Sequence, residues 1–170
     1  MQFIKSLPVT IFFFSFFSFF LAKNSLADYK CFNEAGIYYH IEPNLLKAIA
    51  MVESNMDKNS VGKNIDAHKK VISRDYGLMQ INQIHIPSLK KRGLIKDENE
   101  LLSNPCLNIK IGTEILYNHF SHCGVNWQCL GSYNAGFTTG NKTKRLQYAK
   151  KIYKIYTDLN MKERPKALTK

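Results

Sequence analysis

Apolar residues recur at helical spacing along most of the chain beyond its first 28 positions. In Asn44–Ser54, Leu46, Ile49, Ala50 and Glu53 stand at i, i+3, i+4 and i+7, so they share one helix face. Pro43 suits the first turn of that helix. Tyr29–His40 predicts an earlier helix with Phe32, Ala35 and Tyr39 on its apolar side, and Ile41-Glu42 connects the two. Ile84–Arg92 reads as a short helix ended by Gly93, and Asp97–Leu102 as a turn or helix with an acidic start. Asn104-Pro105 opens a longer helix through Leu107, Ile111, Ile115 and His119, the expected central one. Asn126–Tyr133 predicts a short helix with Trp127 in the core, Asn134–Lys142 a turn, and Thr143–Leu159 a last helix with Leu146, Ala149, Ile152 and Tyr156 on one side. Asp57–Tyr76 breaks the pattern: it is polar, and reads as a long loop with room for a short hairpin. The expected class is all-α, a single domain over 28–160 followed by a polar tail over 161–170.

The first 27 residues have another character. Lys5 precedes an apolar, Phe-rich run over Leu7–Leu21, and Ser25-Leu26-Ala27 offers small residues for cleavage. The run is about 15 residues, short of the roughly 20 that a membrane span needs. A signal peptide over 1–27, cleaved after Ala27, is expected, and with it export to the periplasm. Its loss removes Lys5 and Lys23 and no acid, so the formal charge falls from +11 to +9. A basic exported chain suits an acidic polymer or surface, and export argues against nucleic acid.

Export also changes the reading of the four cysteines, Cys31, Cys106, Cys123 and Cys129. An even count in an oxidising compartment predicts disulfides. Cys123 and Cys129 enclose a short loop and pair most easily, which leaves Cys31 with Cys106. A zinc site of His119, His122, Cys123 and Cys129 competes with that pairing; disulfides and no metal are expected.

Glu53 is the first candidate for chemistry. A carboxyl carried among apolar residues is desolvated, which raises its pKa toward what a general acid needs at neutral pH. Two further stretches stand in order behind Glu53-Ser54: Gly77-Leu78-Met79-Gln80, and Ser132-Tyr133-Asn134-Ala135-Gly136. On these motifs, spread across about Tyr29–Leu159, the chain resembles the soluble lytic transglycosylase (SLT) domain family. The resemblance implies a lysozyme-like fold that cleaves peptidoglycan without a cofactor. It implies Glu53 as the sole catalytic acid, Met79 and Gln80 lining the groove, and Tyr133 and Asn134 facing the cleft. Tyr148 resembles the family tyrosine that holds the catalytic carboxyl. Size, signal segment and cysteines resemble the small members that serve secretion, conjugation or pilus machines, whose subunits are then expected partners alongside the glycan strands; a monomer is expected.

Two departures stand out. Ser132 replaces the usual Ala of the third motif, and Lys144-Arg145-Leu146-Gln147 replaces an acidic stretch before Tyr148. The polar segment carries Lys63, Lys69, Lys70 and Arg74, expected to rim the cleft and meet acidic groups of the wall peptides. With one carboxyl the expected chemistry is intramolecular and gives a 1,6-anhydro sugar. A muramidase using Asp57 or Asp75 as helper is the first alternative, Asp66 being the other nearby acid. A non-catalytic wall-binding subunit of a secretion complex is the second.

Overall fold

Pro43 starts α2 (Pro43–Ser54), and Asn55 ends it in the left-handed conformation, φ 54°, with Met56 continuing there at φ 64°. Leu46, Ile49 and Ala50 are fully buried, as their spacing predicts, and Glu53 lies one turn further at the end of that stripe. The computed structural model describes residues 29–163; the signal segment and most of the polar tail lie outside them. Ahead of α2 runs α1 (29–39), with Phe32 and Ala35 buried and Tyr39 packed at the edge of the core.

The polar segment after α2 forms the hairpin for which the sequence left room, and a short third strand extends it to a sheet. β1 (Val61–Ile65) pairs antiparallel with β2 (Val71–Tyr76), and β2 with the short β3 (Ile81–Asn82), in the order β1-β2-β3. Asp66 closes the hairpin by accepting the N–H groups of His68 and Lys70, both at 2.9 Å. Such Asx turns satisfy the backbone locally, so a run without helical periodicity still folds. Chain alternation puts Gly62, Asn64, Ser73 and Asp75 on one face and Lys63 and Arg74, which pair across the strands, on the other. The expectation that Lys63 and Arg74 rim the cleft is therefore overturned, because the cleft lies on the face of Asp75 and Asn64.

Beyond the sheet come α3 (Ile86–Lys91), α4 (Glu100–Ser103), α5 (Pro105–Cys123), α6 (Trp127–Leu130), α7 (Ser132–Ala135) and α8 (Lys142–Glu163). The Asn104 side chain caps α5 by accepting from the N–H of Leu107. The buried residues of α5 are Asn108, Ile109, Ile111, Gly112, Thr113, Leu116 and Phe120, so Ile111 of the expected stripe enters the core while Leu107 and Ile115 pack at its edge. Ile115 and His119 line the cleft. One expected helix over Asn126–Tyr133 is two, α6 and α7, meeting at Gly131. A Cβ there would stand 2.2 Å from the carbonyl oxygen of Arg145, so only Gly lets α8 approach. Trp127 is 38% exposed and packs edge-on to Tyr153, not in the core. On α8, Tyr148, Ala149 and Ile152 are buried as expected, and Leu146 is exposed while Arg145 is buried in its place. Arg145 earns that position by donating to the carbonyls of Gly136 and Thr138.

Disulfides join Cys31 to Cys106, tying α1 to the start of α5, and Cys123 to Cys129, tying α5 to α6. Both cysteines of the alternative zinc set are thus used.

Candidate active site

Three elements converge on the Gly77–Gln80 turn. Gly77 adopts φ 75°, and a Cβ there would meet the Asn108 amide at 2.3 Å. From α2, the Ser54 hydroxyl sits 2.9 Å from the Leu78 carbonyl and 3.1 Å from that of Ala50. From α5, the fully buried Asn108 accepts the Met79 N–H at 2.8 Å and donates to the carbonyls of Tyr76 and Leu101. From α7, the Tyr133 hydroxyl donates to the Met79 carbonyl at 2.8 Å. All three lock the backbone of the turn rather than its side chains. Asn108 is silent in the sequence, where it reads as one polar residue in an amphipathic helix.

Met79 is fully buried and packs against Gly112, where a Cβ would stand 2.6 Å from its own. The expectation that its thioether lines the groove is corrected: Met79 is core, and reaches the site only through its backbone. Gln80 does line the cleft, held at φ 47°. Its amide nitrogen donates to the carbonyls of Ser60 and Gly77, which fixes the amide and leaves its oxygen to accept.

The cleft over this turn encloses about 350 Å³ between the sheet and the helices, and Glu53, Gln80, Tyr133 and Asn134 all line it. Tyr148 is buried behind them and donates to Glu53 Oε1 at 2.5 Å. Burial pushes the Glu53 carboxyl up to about 7; the Tyr148 bond opposes this and the negative charge of Asp75 adds to it. Both phenols are held well above their usual range, Tyr133 and Tyr148 alike, chiefly by burial and then by Glu53. They stay protonated and act as hydrogen-bond donors. Glu53 is the group poised to change its proton near neutral pH.

Asp75 lines the same cleft. Its Oδ2 accepts from Asn64 on β1 at 2.7 Å and its Oδ1 from Asn82 on β3 at 2.6 Å. Amide donors on both oxygens fix its orientation. The other spare acids serve turns: Asp57 accepts from the N–H of Asn59, and Asp66 closes the hairpin. Asp57 is not on the Glu53 face, because the helix ends before it.

His119 and His85 complete the wall. The Ser132 hydroxyl lies 2.6 Å from the Cys129 carbonyl and 2.7 Å from His119 Nδ1. A carbonyl cannot donate, so the serine proton goes to it and His119 Nδ1–H donates to the serine oxygen. That tautomer makes Nε2 an acceptor. Burial, and then the neighbouring His85 and His122, hold the His119 pKa down, so the ring is neutral at pH 7. Ser132 thus gives the third motif a partner for His119 that an alanine would not.

Residues 30–156 match the Transglycosylase SLT domain. The chain belongs to the SLT family. It is also similar to several named proteins. A peptidoglycan-binding-like protein of Escherichia coli O157:H7 is 67% identical over 150 residues, covering 88% of this chain and 90% of that one. Invasion protein IagB of Salmonella typhimurium strain SL1344 is 40% identical over 129 residues, 76% of each chain. Protein IpgF of Shigella flexneri is 39% identical over 126 residues, 74% and 78%. The SLT match fits the mainly helical, lysozyme-like architecture and implies peptidoglycan as the substrate class. Peptidoglycan lies outside the cytoplasm, and no helix among the described residues is long and apolar enough to cross a membrane.

Proposed function

We propose that this SLT protein is a lytic transglycosylase that cuts the β-1,4 bond between N-acetylmuramic acid and N-acetylglucosamine, with Glu53 as its acid and base. The observation that carries the reading is a carboxyl raised to about 7 at the wall of a glycan-sized cleft, held by Tyr148. Protonated Glu53 gives its proton to the bridging oxygen, and the C1–O4 bond breaks. The leaving sugar departs with a 4-hydroxyl. The substrate's own acetamido oxygen stabilises the cation at C1. Ionised Glu53 then removes the C6 hydroxyl proton, O6 bonds to C1, and the acid form is restored. The product end is a 1,6-anhydro sugar and no water is consumed. Gln80 and Asn134, which line the cleft beside Tyr133, would hydrogen-bond the acetamido groups.

Asp75 favours one further reading. A fixed carboxylate across the cleft suits the two-carboxylate chemistry of a hydrolase. A muramidase would release a reducing end. Mass spectrometry of products from purified wall separates the two, and Glu53→Gln separates either enzyme from a binding subunit: it should abolish products while wall binding persists. An anhydro-free product set, or cleavage surviving Glu53→Gln, overturns the proposal. The invasion protein among its relatives, together with export, fits a role in opening the wall for an envelope-spanning machine.

A further inference from the structure

The catalytic cleft continues past the histidines. Between α3 and α5 lies a second cavity of about 200 Å³, and His85, Ile115 and His119 line both. Its floor is apolar, from Leu89 and Ile111. At its rim, Arg92 Nη2 donates to Glu114 Oε1 at 2.7 Å, with the two side chains 48% and 22% exposed. That is a single hydrogen bond. The other guanidinium N–H groups and Glu114 Oε2 have no partner among the described residues. A guanidinium offers five donors and a carboxylate about four acceptor sites, so most of the pair's capacity is unused.

The lining has no Phe, Tyr or Trp, so it lacks the flat face on which a sugar ring stacks. An apolar floor of Leu89, Ile111 and Ile115, with Ser88 and Asn118 also lining the cavity and one cation and one anion at its rim, instead matches a chain of methylenes ending in an ammonium and a carboxylate on the same carbon. Wall peptides carry such a group at the free end of a diamino diacid residue. The two opposite charges add no net charge to the cavity, so a zwitterion enters without leaving either ion unpaired. Three extended peptide residues span roughly 10 Å, and the two cavities adjoin at His85, Ile115 and His119. The His119 Nε2 acceptor at the junction suits a passing amide N–H.

We propose that this cavity is a stem-peptide subsite in which Glu114 takes the ammonium and Arg92 the carboxylate of a diamino diacid. The proposal rests on the peptidoglycan reading above and gives it a specificity: strands with intact stem peptides over bare glycan.

The test compares wild type, Arg92→Gln and Glu114→Gln on two substrates, peptide-bearing strands and the same strands stripped by an amidase. A calorimetric titration with the isolated stem tripeptide runs beside it. Each substitution should raise KM about tenfold on peptide-bearing strands, leave stripped strands unchanged within about twofold, and abolish tripeptide binding. Strands with lysine in place of the diamino diacid should make wild type behave like Arg92→Gln. Equal effects on both substrates, no effect on either, or tripeptide binding that survives both substitutions overturns the subsite. Should wild type cleave neither substrate, the enzyme reading fails by itself, and tripeptide binding still decides the subsite.

Discussion

The Tyr133 hydroxyl donates to the Met79 carbonyl at 2.8 Å, so the third motif holds the second by its backbone. Fifty-four positions separate the two residues. Removing the hydroxyl leaves a carbonyl in a buried segment without its partner, at a cost of about 1–3 kcal/mol. Tyr133→Phe should therefore lower the melting temperature and, by loosening the turn that carries Gln80, lower kcat/KM. Thermal unfolding and product release on purified wall check both. Unchanged stability would show that the phenol acts on substrate alone.

Asn108 has more to lose. It is fully buried with three hydrogen bonds to backbone groups. Asn108→Leu keeps the bulk and strands all three partners, so a loss of about 3 kcal/mol or more is expected, larger than for Tyr133→Phe. Chemical denaturation of the two variants side by side measures the order.

Glu53 sets the pH dependence. Its carboxyl is raised to about 7, and the proposed reaction begins from the protonated form, so activity should fall as pH rises through 7. The charge of Asp75 helps raise it, and the Tyr148 bond lowers it. Asp75→Asn should therefore move the alkaline limb to lower pH. Tyr148→Phe should move it higher while lowering the rate, since the carboxyl loses its positioning bond. Rate profiles from pH 4 to 9 test the signs, which are opposite.

The same group links pH to folding. The folded state binds this proton more tightly than the unfolded chain, whose carboxyl titrates near 4.5. The stabilisation is present in full below that value and is lost as pH rises through about 7, on the order of 3 kcal/mol. Glu53→Gln has no such proton, so its stability relative to wild type should grow between pH 4 and 8. Parallel unfolding curves at the two pH values report the difference directly.

Helix periodicity made α1, α2, α5 and α8 legible, because each buries a stripe against the others and the stripe needs regular spacing. The sheet was legible only as room for a short hairpin, and its register and third strand not at all, because they rest on Asx turns and on amide side chains bridging strands, Asn64 and Asn82 to Asp75. Polar residues that satisfy one another across strands look, in sequence, like a solvated loop. Glu53 was legible as a carboxyl on an apolar stripe, but Tyr148 only through resemblance; nothing local says that positions 95 apart will share a proton. Met79 misled for the converse reason: a motif residue next to a functional one need not point the same way, and this one faces Gly112. Asn108, His85 and the role of Ser132 lay beyond reach, since each depends on a carbonyl or a neighbour brought in by another element.

The Cys31–Cys106 bond spans 75 positions, and its loop contains Glu53 and the whole of the second motif while Tyr133 and Tyr148 lie beyond it. Once oxidised, the acid's half of the molecule is a closed ring, and the tyrosines arrive from a free arm that docks onto it. Such a ring limits how far the unfolded chain can stray, a gain of about 4 kcal/mol for a loop of this size. Synthesised where thiols stay reduced, the polypeptide would lack that constraint and hold its trench less firmly. Oxidative folding thereby favours a firmly closed trench wherever the thiols can be oxidised.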